Sequence, residues 1–236
     1  MVKKFSNAEE PQDQNPFALS TGDMMSALMF IFVLLLSALM LNERQQMDEE
    51  KKLTDEYYRI KEQLRRDLLA EFEKDLPEWN AVFDTTKMSI RFQEPTMLFD
   101  FKSSKLKPKF SEILNDFFPR YLDVITDAQY KDNIEEIRIE GHTDSQGGYE
   151  YNMELSQDRT RAVLNHCLGI IPARMVLQDT TLEQWTKARI MANGLSYSHL
   201  ILNPDGSENP ELSRRVEFRI RTNAEKQLEK IAEKRK

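Results

Sequence analysis

Residues 137–168 read IRIEGHTDSQGGYEYNMELSQDRTRAVLNHCL. The first four alternate, Ile137 and Ile139 facing one way and Arg138 and Glu140 the other, which predicts a strand with one buried face. Gly141 and Asp144 are turn residues that end it. From about Tyr151 to Leu168 the apolar spacing becomes helical, with Leu155, Ala162 and Val163 as core positions and Arg159 beside them. The segment therefore reads as strand, polar turn and amphipathic helix, and it leaves Asp144 at the end of a strand.

Working outward, three more stretches alternate: Met88 to Gln93, Arg189 to Gly194, and Arg215 to Arg221. The last is the clearest, with Val216, Phe218 and Ile220 on one side and charges on the other. Two further helices lie between them. Pro108 opens one that carries Phe110, Ile113, Leu114 and Phe117 on a single face, and Thr181 to Ala188 forms a short one. Strands alternating with helices, closed by a strand, predict an α+β fold: a two-layer α/β sandwich with helices on one face of a mixed sheet.

The chain has 236 residues and a formal net charge of −7, enough for one globular domain with accessory segments. The negative balance argues against nucleic-acid binding, which calls for a basic patch or stripe. One cysteine, Cys167, excludes an intrachain disulfide and reads as a small buried hydrophobe. His142, His166 and His199 are scattered, so neither a structural metal nor a cofactor is expected, and His142 reads as a packed or hydrogen-bonded residue. Ser145, Cys167 and His142 make no nucleophile–base arrangement, and an enzyme is the least favoured class.

The front of the chain is of another kind. Met24 to Leu41 is an uninterrupted apolar run of roughly 27 Å as a helix, close to the hydrocarbon thickness of a bilayer. It is too long for a signal peptide's apolar region and ends in Asn42, Glu43 and Arg44 with no small-residue cleavage site, so it reads as an uncleaved anchor. Lysines and arginines flank it on both sides and give no orientation. Asp23 stands at its head. Ser20, Thr21, Gly22 and Asp23 read equally well as a helix N-cap, while a carboxylate at a membrane span is costly enough to suggest a function. Beyond the run, Leu53, Tyr57, Ile60 and Leu64 repeat at coiled-coil spacing, followed by Leu68 and Phe72. A stalk of roughly 50 Å that pairs with a second copy is expected here, the alternative being a helix that packs on its own domain.

Phe99 to Pro108 resembles the opening segment of OmpA-like peptidoglycan-binding domains. Glu140-Gly-His-Thr-Asp144, then Tyr151-Asn-Met-Glu-Leu-Ser156 with Arg159, resembles their central signature, and Ser213-Arg-Arg-Val-Glu-Phe218 their closing strand, with Ser213 where the family usually has asparagine. That resemblance implies a ligand, the peptide stem of the cell wall and notably the zwitterionic end of its diaminopimelate. Arg159 would hold the carboxylate and Asp144 the ammonium group; Thr143 and Asn152 would add hydrogen bonds, Tyr151 and Leu155 a wall, and Arg214 would complete the pocket. On residue types alone, an ordinary ion pair between Asp144 and Arg159 is the favoured reading, and the signature turns it towards binding.

Ser20 to Phe32 is similar to the single span of MotB-type stator subunits, in which an aspartate near the helix start carries the coupling ion. The short N-terminal tail and the expanded 171–189 segment look more like the stator-like subunits of Zorya anti-phage systems. The resemblance implies a proton- or sodium-driven motor with Asp23 as its ion carrier. Its partner would be a MotA-like multi-span membrane subunit of the ZorA type, a pentamer surrounding a homodimer of this chain. It also implies an inner-membrane protein divided into a cytoplasmic tail (1–22), a transmembrane helix (23–42), a helical stalk (43–78), a periplasmic OmpA-like domain (79–222) and a charged tail (223–236). A passive tether between membrane and wall, or a flagellar stator subunit, are the rival readings. Asp23→Asn separates motor from tether, because asparagine caps a helix as well as aspartate but carries no proton.

Overall fold

The computed structural model describes residues 16–93, 98–100, 102–174 and 180–223. Most of the expected N-terminal tail (1–15), and all but the first residue of the expected C-terminal one, lie outside the described residues. The first element is a single helix, α1 (Pro16–Phe72), with proline at its first position, where a missing N–H costs nothing. The chain divides into two compact units, Met1–Lys52 and Leu53–Lys236.

In the first unit the apolar run presents Met24 to Leu41 as exposed hydrophobic side chains. Among the described residues, one helix is long and apolar enough to cross a membrane, and this is it.

The second unit holds β1 (Ala81–Asp84), β2 (Ser89–Gln93), α2 (Pro108–Ile125), β3 (Ile134–His142), α3 (Tyr149–Arg174), α4 (Thr180–Arg189), β4 (Ile190–Gly194), α5 (Pro210–Ser213) and β5 (Arg215–Thr222). The five strands lie in the order β1-β2-β5-β3-β4. All neighbours are antiparallel except β3 and β4, which are joined through α3 and α4 and run parallel. The sheet is therefore mixed. Ile90, Phe92, Ile137, Ile139, Phe218 and Ile220 are buried together with Phe110, Leu114, Phe117 and Tyr121 of α2 and Val163 and Cys167 of α3. β1 has no counterpart in the sequence reading. It is four residues long, lies at the sheet edge and pairs only through the turn after Asp84, so it carries too little alternation to be seen.

The seam along α1 differs from expectation. Ile60, Leu64, Leu68 and Phe72 are buried in the core of the domain itself rather than left for a second copy. Phe72 lies 5.2 Å from the Phe117 ring and 5.9 Å from Trp79. Polar contacts clamp the same turns: Arg120 donates to Glu71 Oε1 at 2.6 Å and meets Asp75 at 2.8 Å, and Tyr130 Oη donates to Asp67 at 2.5 Å. A 4-3-4 apolar stripe specifies that something covers it, not what.

Candidate functional site

α3 approaches the sheet at two glycines. Gly141 of β3 and Gly194 of β4 are register partners across the parallel pair. A Cβ on Gly194 would lie 2.3 Å from the Gln157 backbone nitrogen, and one on Gly141 would lie 2.5 Å from Thr160 Cγ2. Only hydrogen at both positions lets the helix sit this low. Further bonds hold it there, Ser196 N to Ser156 Oγ at 3.0 Å and Gly194 N to Gln157 Oε1 at 2.8 Å. The helix start is thereby fixed against the end of β3.

The turn between them is set by its own side chains. Gln146 N donates to Asp144 Oδ1 at 3.2 Å, Asn152 Nδ2 to the Gln146 carbonyl at 2.9 Å, and Gly147 takes φ +96°. Ser145 donates both its backbone N–H and its hydroxyl to Glu208. The Ser213 hydroxyl receives the Ile201 N–H at 2.9 Å and pins the segment before β5.

All seven residues singled out as a binding set, Thr143, Asp144, Tyr151, Asn152, Leu155, Arg159 and Arg214, line one cavity of about 360 Å³. Tyr151, Leu155 and Arg159 follow at steps of four on one face of α3, and Asn152 stands beside them. Asp144 is paired with Arg214, 2.5 Å away, and not with Arg159. Arg159 is buried, its Nε donates to the Ser103 carbonyl at 2.9 Å, and its guanidinium lies 4.8 Å from the centre of the Phe99 ring. Asp144 and Arg214 thus hold each other, Arg159 is held separately, and all three line one space. Thr143 donates its N–H to Ser196 O, and its buried hydroxyl has no hydrogen-bond partner.

The sequence reading left out the facing wall. Phe99, Asp100, Lys102 and Lys107 line the same cavity, from the segment that leads into α2. That stretch reads as a family signature, but its lysines look like any solvated run until the chain folds back.

A second polar cluster lies under the sheet's other face. Glu217 accepts from Ser89 Oγ at 2.9 Å, Arg215 Nε at 2.6 Å and Arg91 Nε at 3.2 Å. Burial alone would raise the Glu217 carboxyl, but the bond and charge of Arg215 outweigh it and hold the group at about 2. His142 is packed here with both ring nitrogens unpartnered, and burial together with the charge of Arg215 lowers it to about 3. Glu140, His142 and Glu217 bring three potential metal-ligand atoms within 4.8 Å of one another. Arg91 and Arg215 already engage the Glu217 carboxylate, and Arg219 lies 4.0 Å from Glu140, so a cation entering there would meet three guanidiniums. The cluster is a buried ion-pair network joining β2, β3 and β5.

Asp23 is seven residues inside α1, not at its start, and its side chain is exposed. A capping role is thereby removed, since a cap must flank the helix.

Residues 98–201 match the OmpA family. A solved structure of a putative MotB like protein from Desulfovibrio vulgaris is 22% identical and aligns with 72% of this chain and 94% of that one, at a TM-score of 0.45. Zorya protein ZorB of Escherichia coli O139:H28 is 28% identical over 226 residues, covering 93% of this chain and 84% of its own. Zorya protein ZorB of the Escherichia coli Crooks strain is 40% identical over 225 residues, 92% of each chain. At that identity over nearly the whole of both proteins, the chain belongs to the ZorB family of Zorya proteins.

Proposed function

We propose that this chain is the wall-anchored, stator-like subunit of an ion-driven inner-membrane motor acting in anti-phage defence. The observation that carries the reading is Asp23, a carboxylate within α1 at the head of its membrane-length apolar run, where capping does not account for it. One span cannot enclose an ion path, so a MotA-like multi-span subunit of the ZorA type must supply the remainder, as a pentamer around two copies of this chain. Surrounded by the partner's helices, a carboxylate is disfavoured in its charged form and can alternate between neutral and charged as protons arrive and leave. A membrane potential supplies about 2.3 kcal/mol per charge per 100 mV to drive that cycle. The tail before the span lies in the cytoplasm and the C-terminal domain in the periplasm.

There the cavity between the 98–107 segment, the 143–148 turn and α3 takes the peptide stem of peptidoglycan. Arg159 holds the carboxylate and Asp144 the ammonium of its zwitterionic end. The convergence of the seven residues on one space supports this assignment. Anchored so, the chain stays still while the partner ring turns.

The test is phage plaquing on cells that carry the whole operon with either the wild-type chain or Asp23→Asn, with membrane levels matched by blot. Protection is expected to vanish at normal protein level. Protection retained by Asp23→Asn would make the chain a passive tether.

A further inference from the structure

Two tyrosines open α3, and the cavity takes one of them. Tyr151 lines it. Tyr149, the first residue of the helix, meets the ring of Tyr197 instead, edge to face, with centroids 5.7 Å apart and planes at 86°. Tyr149 is still 46% exposed, so that contact leaves much of its ring to solvent.

Tyr197 follows a strained residue. Ser196 is buried and has φ +51°, a left-handed conformation that is unfavourable for any residue with a side chain and persists only where neighbours over-determine it. Its N–H donates to Ser156 Oγ at 3.0 Å, its carbonyl accepts the Thr143 N–H at 3.0 Å, and its hydroxyl donates to the Tyr149 carbonyl at 3.3 Å. Thr143 lines the cavity. One buried serine therefore ties the backbone of both tyrosines to the cavity wall.

Glu150, also exposed, lies between Tyr149 and Tyr151 in the first turn of α3. A carboxylate there repels an anion and accepts hydrogen bonds from hydroxyl groups. A rigid amphipathic ring beside such an acceptor suits a neutral, polyhydroxylated ligand: a pyranose has C–H groups on its face and hydroxyls at its rim. The stem brings one with it. Its zwitterionic end is held by Arg159 and Asp144, and its other end is joined to a sugar of the glycan strand.

We propose that Tyr149 and Tyr197 form a sugar platform beside the cavity, on which a pyranose of the glycan strand stacks while the stem fills the pocket. This rests on the wall-binding reading above and extends the site from peptide to glycan. The Tyr149 ring covers the C–H face of the sugar, and Glu150 accepts from its hydroxyls.

The experiment uses the full-length chain in detergent and two soluble probes. One is a tripeptide stem ending in diaminopimelate, capped by a lactyl group at its N-terminus. The other is the same stem on its N-acetylglucosaminyl-N-acetylmuramyl disaccharide, so that the two differ by the sugars alone. The wild type should bind the disaccharide probe about fivefold more tightly, the worth of covering one exposed ring face. Tyr149→Ala keeps the backbone carbonyl that Ser196 bonds, and it should bind both probes alike, at the level of the capped stem. Tyr149→Phe should keep the preference, because the ring face carries it. Saturation of the aromatic protons of the wild type should also transfer to the sugar-ring protons, a readout that needs no variant. Equal affinity of the wild type for both probes, or transfer that reaches the stem and not the sugar, overturns the platform while leaving wall binding intact. A preference that survives Tyr149→Ala overturns it as well, since the sugar then sits elsewhere. If neither probe binds the folded chain, the wall-binding reading and the platform fall together.

Discussion

Phe72→Ala tests whether the last turns of α1 belong to the domain. The ring is fully buried, packed against Trp79 and Phe117, with the Arg120 guanidinium 5.0 Å from its centre. Removing it deletes the transfer energy of a whole aromatic side chain and leaves a hole that Trp79 and Phe117, held by other rings, cannot fill. A cost of about 3–5 kcal/mol follows, a large share of the roughly 5–15 kcal/mol that holds a domain of this size folded. The assay is urea unfolding of the full-length chain in detergent, followed by tryptophan fluorescence, to which Trp79 contributes from beside the deleted ring. Tyr58→Ala, on the exposed side of the same helix, is the control and should change stability by about 0.5 kcal/mol or less. The reasoning is refuted if Phe72→Ala shifts the midpoint no more than Tyr58→Ala does. A midpoint that depended on protein concentration in the wild type and lost that dependence in the variant would instead assign the stripe to a second copy.

Glu217→Gln should cost about 3–5 kcal/mol in the same assay, because it leaves the buried Arg215 beside a group that no longer balances it. Acid should weaken the fold in two windows. His142, held neutral down to about 3, lets the unfolded chain take up a proton first, so stability falls as pH drops from about 6.5 towards 3, by about 2 kcal/mol at pH 5. Glu217, held at about 2, adds a second loss between about 4.5 and 2. His142→Phe should flatten the first window and leave the second, as read from melting temperatures across pH. Gly194→Ala should lift α3 off the sheet, since its methyl would meet the Gln157 backbone, which cannot rotate away. A loss of about 1–3 kcal/mol and weaker pull-down by purified cell-wall sacculi are the expected readouts.

The strands and helices around the site were legible because alternation and helical spacing are local. Val216, Phe218 and Ile220 could only belong to a strand with one apolar face, and Phe110, Ile113, Leu114 and Phe117 to one face of a helix. The cavity-lining set was legible as residue types in a familiar order, yet its pairing was not. Asp144 joins Arg214, 70 positions away, because β5 returns beside β3, and nothing near Asp144 in the chain announces that. Lys102 and Lys107 were invisible for the same reason. At Asp23 the local sequence left cap and functional carboxylate open, because Ser20 to Asp23 looks like a cap while Pro16 starts the helix earlier. In each case the deciding fact was the neighbour supplied by folding.

The burial of Ile60 to Phe72 also changes how the domain would respond to being pulled. A domain hung from a loose linker yields at the linker, residue by residue. Here the chain that would bear such a load enters the domain as a core helix, and Leu64, Leu68, Phe72, the Arg120 clamp and the Tyr130–Asp67 bond stand in parallel along it. Tension arriving from Leu53 must break them together rather than in turn. The point of attachment is therefore stiff up to a threshold and fails all at once, which is how a bolt behaves, not a rope.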